Sequence, residues 1–184
     1  MGKAGMFIVF ILIKKIMNAI ENLTDNKAIE KLKELVMSAD ICMFTTSLNV
    51  LPLSSRPMST VEVDDAGNIW FISKRSSDKN REITDDPKVQ LFYASKGKAE
   101  YLSVFGEASI LYDKAKAEEV WTPIAKAWLT GGVNDPELSL IKVTPKDCYY
   151  WDTQHNKLVS LLKIVTSMVT GKTMDDGVEG KIEV

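Results

Sequence analysis

Apolar residues recur at helical spacing between Asp25 and Ala39, where Ile29, Leu32, Leu35 and Val36 share one face behind Thr24 or Asp25 as a cap. The pattern then shortens to that of strands. "DICMFTTS" reads as a buried strand, and "LPLSSRPMSTVEV" as a second whose Pro57 suits an edge or a bulge. "DDAG", Asp64 to Gly67, is a hairpin turn signal, and "NIWFIS" returns as the third strand. A short helix is predicted from about Ser77 to Thr84, ending before Pro87. "KVQLFYAS" gives a fourth strand and "AEYLSVFGEASILY" a long fifth, with Gly106 as a bulge. Asp113 to Trp121 is predicted helical. Thr122 and Pro123 then restart a helix as N-cap and first residue. "LSLIKVTPKDCYYWD" is a sixth strand broken by proline. Leu158, Leu161, Leu162, Val165 and Val169 predict a closing amphipathic helix with Gly171 past its end. The polar tail "TMDDGVEGKIEV" is expected to be mobile. Closely spaced antiparallel strands with short helices between them suggest a small barrel.

Composition narrows the class. At 184 residues, 45% hydrophobic and 26% charged, the chain suits one domain with a packed core. Its net charge of −2 and pI near 5.5 give no global footprint for nucleic acid or an anionic membrane, so any basic site is local. Cys42 and Cys148 lie far apart in apolar stretches with no C-x-x-C motif. They are read as buried free thiols, which points to a reducing cytoplasm. The N-terminal apolar run, Met6 to Ile13, is far shorter than the roughly 20 residues of a membrane span. No A-x-A site follows it, and Met6 stands where a myristoylation pattern needs Ser or Thr. Residues 1–16 are therefore read as an extension ahead of Met17, residues 17–171 as the domain, and 172–184 as the tail. In a cytoplasmic protein the "NLT" at Asn22 is a chance match to the glycosylation pattern.

Catalytic side chains are scarce. The single histidine, His155, lies in the polar turn "DTQHNK" and reads as solvated. Metal sites of clustered His and Cys, and His-based nucleophile systems, would all depend on it. Neither a P-loop nor G-x-G-x-x-G is present. The pairs Asp64–Asp65, Asp85–Asp86 and Asp175–Asp176 flank turn signals and read as turn formers. Any chemistry would fall to a cofactor.

"WFISKRSSDKN", Trp70 to Asn80, supplies the candidate site. It places Lys74, Arg75, Lys79 and Arg81 around a helix start, where the helix dipole already contributes partial positive charge. A bound phosphate resolves the conflict, because exposed N–H groups at a helix start accept an anion. Ser73, Ser77 and Lys79 can add donors. Charge-assisted hydrogen bonds of about 1.5–3 kcal/mol each outweigh the few tenths lost by misplaced cations. Arg56, one hairpin away, can join them.

These segments carry a resemblance. "RPM" at Arg56 to Met58, "WFISKRSSDK" at Trp70 to Lys79, "YLSVFGEA" at Tyr101 to Ala108, "VWTPIAKAW" at Val120 to Trp128 and "YYWD" at Tyr149 to Asp152 resemble the pyridoxamine 5′-phosphate oxidase-like flavoproteins, in particular the bacterial general stress protein branch. The likeness runs from about Lys27 to the C-terminus. It implies a mainly β (α+β) fold, a six-stranded antiparallel split β-barrel with peripheral helices. It also implies FMN as cofactor and a homodimer with flavin at the subunit interface. By that resemblance, Arg56, Pro57 and Met58 line the flavin and reach its phosphate. Ile72 and Ser73 lie beside the ring and ribityl chain, and Ser77 and Lys79 belong to the phosphate-binding turn. Tyr101 stands where the oxidases have a glutamine near the ring, and Trp151 matches a tryptophan that approaches from the other subunit. Trp121 and Trp128, at helical spacing, are expected to be packing residues.

The departures separate the chain from a true oxidase. Asp78 stands where the oxidases have an arginine. Val61 replaces the lysine that holds the substrate phosphate, five positions after the arginine. Lys157, Val159 and Leu161 replace the oxidases' later arginine, histidine and second arginine. The expected function is an FMN-dependent oxidoreductase acting on a small substrate other than a B6 phosphate. A non-catalytic flavin store or sensor is the alternative. A small-barrel binder of single-stranded nucleic acid is the third reading, disfavoured by the acidic pI and by the lack of aromatics interleaved with the basic run.

Overall fold

The computed structural model describes residues 19–20, 23–95, 97–153 and 177–183. His155, the closing helix predicted over residues 158–169 and the N-terminal apolar run lie outside these. Two-residue strands β1 (Ala19–Ile20) and β2 (Leu23–Thr24) lead into helix α1 (Asp25–Ala39). Strands β3 (Ile41–Thr46), β4 (Ser54–Ser59), β5 (Glu62–Val63) and β6 (Ile69–Lys74) follow, then α2 (Asp78–Asp85), β7 (Lys88–Ser95) and β8 (Glu100–Leu111). Helix α3 (Lys114–Glu119), two 3-10 turns (Pro123–Ala127 and Gly132–Asn134), β9 (Leu138–Thr153) and β10 (Gly177–Glu183) complete the order.

The fold is α+β, mainly strand, with the sheet arrangement of a split barrel. Strands run in the order β1-β10-β9-β8-β7-β3-β4, and β6 joins β9 from the other edge. The 16-residue β9 makes the split possible. One edge pairs with β8, while the other pairs first with β6 (Leu138 to Val143) and then with β10 (Cys148 to Thr153). Residues 54–63 bridge the opposite side, pairing with β3 through β4 and with β6 through β5. Each of the six expected strands is present, the second interrupted between β4 and β5. The tail is a correction: residues 177–182 pair in register with β9 and Ile182 and Glu183 with β2, with Val178 and Ile182 buried.

Local chemistry explains the joints. Helix α1 buries Ala28, Leu32, Leu35 and Val36 against the sheet; Ile29 lies at the edge of this face. In the turn between β5 and β6, the Asp64 carboxylate accepts from the N–H groups of Ala66 (3.0 Å) and Asn68 (2.9 Å) and from Trp70 Nε1 (2.8 Å). Gly67 takes φ 78° there, a conformation that disfavours a side chain. The bulge falls at Gly106: Phe105 pairs with Asp147 but Gly106 pairs with Pro145. This leaves Lys146 as the extra residue.

Two clusters of buried side chains result. The larger lies inside the barrel and under α1, and includes Phe44 and Phe71 packed edge to face at 5.2 Å. It also takes in Cys42 and Cys148, free thiols that burial pushes up to about 12. The smaller gathers Trp70, Ala117, Val120, Leu129, Leu138 and Leu140, and fixes the segment after α3 against β6 and β9. No helix among the described residues is long and apolar enough to cross a membrane.

Candidate functional site

A groove of about 530 Å³ opens between β4, the end of β6, the start of α2 and the 3-10 turn after α3. It lies within the size range of small-molecule sites, about 300–1,000 Å³. Seven of the nine predicted residues line it: Arg56, Pro57, Met58, Ile72, Ser73, Ser77 and Lys79. They come from separate elements brought together by pairing. Arg56 to Met58 lie on β4, Ile72 and Ser73 on β6, Ser77 is the N-cap of α2 and Lys79 is in its first turn.

The polar end is strongly cationic. Lys74, Lys79 and Arg56 are the ionisable side chains lining the groove among the described residues. Lys79 is held below its ordinary value of 10.5, first by burial and then by the positive charge of Arg56. Arg56 is anchored from behind: Nη1 donates to Thr46 Oγ1 at 2.6 Å and Nη2 to Glu82 Oε2 at 2.8 Å. Burial works to raise the Glu82 carboxyl, but hydrogen bonds from Thr46, Arg56 and Ser54 overcome it and the net shift is downward. Glu82 therefore stays ionised and fixes the guanidinium as a preset donor.

Two of the four cations in "WFISKRSSDKN" and the residue after it point elsewhere. Arg75 stacks over the Tyr112 ring at 3.9 Å, and Arg81 pairs with exposed Asp78 at 2.9 Å. Asp78, paired with Arg81, is not among the residues lining the groove. The basic run is thus dispersed: Lys74 and Lys79 face the groove while Arg75 and Arg81 make contacts outside it.

The groove's other wall was only partly legible. Thr122, Ile124, Ala125, Trp128 and Leu129 line it, and Trp128 and Ile124 are 61% and 63% exposed. Trp121 packs against the smaller buried cluster as expected, but Trp128 does not pack inside: it stands over the groove. Helical periodicity misplaced it because α3 stops at Glu119 and a 3-10 turn begins at Pro123, so no continuous 3.6-residue helix joins the two tryptophans. Val61, in place of a lysine, also lines the groove. Asn80, which sequence reading passed over as a helix residue, is buried behind Ser73 and Ser77.

Tyr101 and Trp151 are not at this groove within one chain. They pair directly across β8 and β9 on the outer face of the sheet and are 50% and 43% exposed, with Tyr149 beside Trp151 at 4.8 Å between rings.

Fold and groove together define a split-barrel protein whose groove is lined by Arg56, Lys74 and Lys79 at one end. The chain belongs to the pyridoxamine 5′-phosphate oxidase like family, whose model matches residues 27–175. Among curated proteins it is similar to protein bli-3 of Neurospora crassa, with 24% identity over 129 residues, covering 65% of this chain and 62% of that one. The chain thus spans less than two thirds of that relative. Among solved structures, general stress protein 26 of Jannaschia sp. CCS1 superimposes with a TM-score of 0.70 at 24% identity, over 85% of this chain and 97% of that one. General stress protein 26 of Bacillus anthracis gives 0.59 at 27% identity, over 66% and 92%. The general stress FMN/FAD binding protein of Xanthomonas citri gives 0.59 at 24% identity, over 69% and 92%.

Proposed function

We propose that this protein binds FMN in the groove and acts, as a homodimer, as an oxidoreductase on a small substrate that carries no phosphate. The observation behind this reading is the convergence of Arg56, Ser73, Ser77 and Lys79 at the start of α2. Two hydroxyls, an ammonium and an anchored guanidinium suit a terminal phosphate, both in charge and in donor number. Lys79 supplies the fit test. A cation depressed by burial and by a neighbouring cation is relieved when an anion enters.

Pro57, Met58 and Ile72 leave an apolar strip beyond the phosphate end, suited to a flat ring. FMN would supply hydride and electron transfer; the chain would bind it, orient it and limit water access. Val61 removes the cation that would hold a second, substrate-borne phosphate. The family relationship and the FMN/FAD binding neighbour support the flavin.

The outer face of the sheet supports the dimer. Ile41, Met43, Phe92, Tyr101 and Trp151 are all large, apolar or aromatic, and 43% to 51% exposed. They lie on neighbouring strands, with Met43 opposite Phe92 and Tyr101 opposite Trp151. Ile41 belongs to both this face and the groove, so a second copy seated on the face would reach the pocket mouth.

Titration of the apoprotein with FMN tests the reading. Flavin fluorescence is expected to be quenched on binding, and heat should release FMN from the purified protein. Pyridoxine 5′-phosphate should not be turned over by the loaded protein. An apoprotein that leaves FMN fluorescence unchanged overturns the assignment.

A further inference from the structure

Two large apolar side chains, Ile124 and Trp128, are left in water on the groove's second wall, both more than half exposed. The backbone beneath them is fixed. Each exposed residue is followed in the chain by a buried one, Ala125 after Ile124 and Leu129 after Trp128. The Ala125 carbonyl accepts from the N–H groups of Trp128 and Leu129, both at 3.0 Å. Leu129 is packed into the smaller buried cluster with Trp70, Leu138 and Leu140, whereas Trp128 belongs to neither buried cluster. The fold thus pins the turn and spends none of the indole on its own packing.

The same cluster relates this wall to the rest of the groove. Ile72 and Val61 pack against it, and both line the groove. Ile72 is also part of the apolar strip with Pro57 and Met58, so the turn and the strip share one apolar support. The cations Arg56 and Lys79 gather instead around Glu82. None of the wall's five residues, Thr122, Ile124, Ala125, Trp128 and Leu129, is ionisable. The wall therefore matches the flat, uncharged part of a ligand and not its anion. An indole has two side-chain torsions to fix on contact, a small entropic cost for the area that it covers.

We propose that Trp128 is a binding residue for the ring of the cofactor, its indole covering an isoalloxazine laid along Pro57, Met58 and Ile72. The proposal rests on the flavin reading above and adds to it a residue that helical spacing had assigned to packing. Ring and phosphate are then held by different residues, Trp128 at one and Lys79 with Arg56 at the other. Loss of Trp128 should weaken every ligand that carries the ring, whether or not a phosphate is attached.

The test compares dissociation constants for FMN and for riboflavin, which lacks the phosphate, in the wild type, Trp128→Ala, Trp128→Phe and Lys79→Ala, by fluorescence titration. In Trp128→Ala both affinities are expected to fall by a similar factor, about tenfold, the size of one lost aromatic contact. Trp128→Phe keeps a flat face and should recover most of the loss. Lys79→Ala should weaken FMN and leave riboflavin within about twofold. Unchanged affinities in Trp128→Ala, or a fall for FMN alone, overturn the role of Trp128 and leave the phosphate end standing. A fall that Trp128→Phe does not recover, accompanied by a lower thermal midpoint, marks a packing residue and overturns it as well. A wild-type protein without affinity for either flavin overturns the flavin reading, and this proposal with it.

Discussion

At the residue scale the groove is governed by the contrast between two cations. Arg56 is locked by Glu82, whereas Lys79 faces the cavity with a proton affinity lowered by burial and by Arg56. The sign of the pH dependence follows. Below the pKa of the free protein Lys79 is already charged, and a phosphate binds at full strength. An anion raises that pKa, so above its depressed value each bound phosphate must draw in a proton. FMN affinity should therefore decline with rising pH on the alkaline side, beginning below 10.5, the ordinary lysine value. Lys79→Ala should weaken FMN binding about tenfold or more at neutral pH and flatten this alkaline decline. Dissociation constants measured across pH for both proteins check this; a slope that persists in Lys79→Ala assigns the titration to another group. Much of this chemistry was legible in the sequence. Ser73, Ser77 and Lys79 announce themselves as donors crowded at a helix start, and Arg56 lies one hairpin away. The sorting of the cations was not legible. Arg75 and Lys74 are adjacent in the chain, and only the strand's twist and the position of Tyr112 decide which one faces the groove.

Elements position those residues, and two of their joints can be tested. Gly106 permits the close approach of β8 and β9 at the bulge. A Cβ there would lie 2.6 Å from the Thr144 carbonyl oxygen and 3.1 Å from Val143 Cγ1. The first is backbone in the middle of a ladder and cannot easily withdraw. Gly106→Ala should cost about 1–3 kcal/mol, the usual range for an overpacked site, and lower the midpoint of urea unfolding. A midpoint equal to wild type would mean that the bulge relaxes freely. The second joint ties α2 to β4 through Glu82, whose carboxyl is held down by Thr46, Arg56 and Ser54 despite burial. A depressed carboxylate stabilises the fold above its unfolded pKa and ceases to do so as pH falls through the lower folded value. Glu82→Gln should reduce stability by about 1–2 kcal/mol at neutral pH, because both side chains are partly screened by solvent. The deficit should shrink in acid; a deficit independent of pH would point to packing. Period-two alternation and turn chemistry made most of these elements readable in advance, down to Gly106. Strand β10 was missed although Val178, Gly180 and Ile182 alternate with Glu179, Lys181 and Glu183, because two glycines and three charges dilute so short a signal. Trp128 was misplaced for the opposite reason: an apparent helical period continued across a break in the backbone.

For the whole molecule the open question is what covers the outer sheet. Met43, Phe92, Tyr101 and Trp151 alternate with inward residues such as Cys42, Tyr93, Leu102 and Tyr150, so their exposure follows from the strand period and the register. Scattered exposed apolar residues are ordinary, but a contiguous run across four strands is the kind of patch a partner covers, which supports the proposed dimer. A second copy is the favoured occupant, since Ile41 joins the face to the groove and the partner's Trp151 and Tyr101 would then lie near the apolar strip. A charge at the centre of this face should separate assembly from folding. Phe92→Glu places a carboxylate opposite Met43 without touching the barrel interior, so the thermal transition of each chain should remain cooperative. Sedimentation is expected to show a dimer for the wild type and a monomer for the variant. If the partner completes the pocket, the monomer should also bind FMN more weakly, although every cation and hydroxyl of the phosphate end remains. A monomeric variant with undiminished FMN affinity would place the whole site within one chain and remove Tyr101 and Trp151 from it. A variant that stays dimeric would move the interface to another surface.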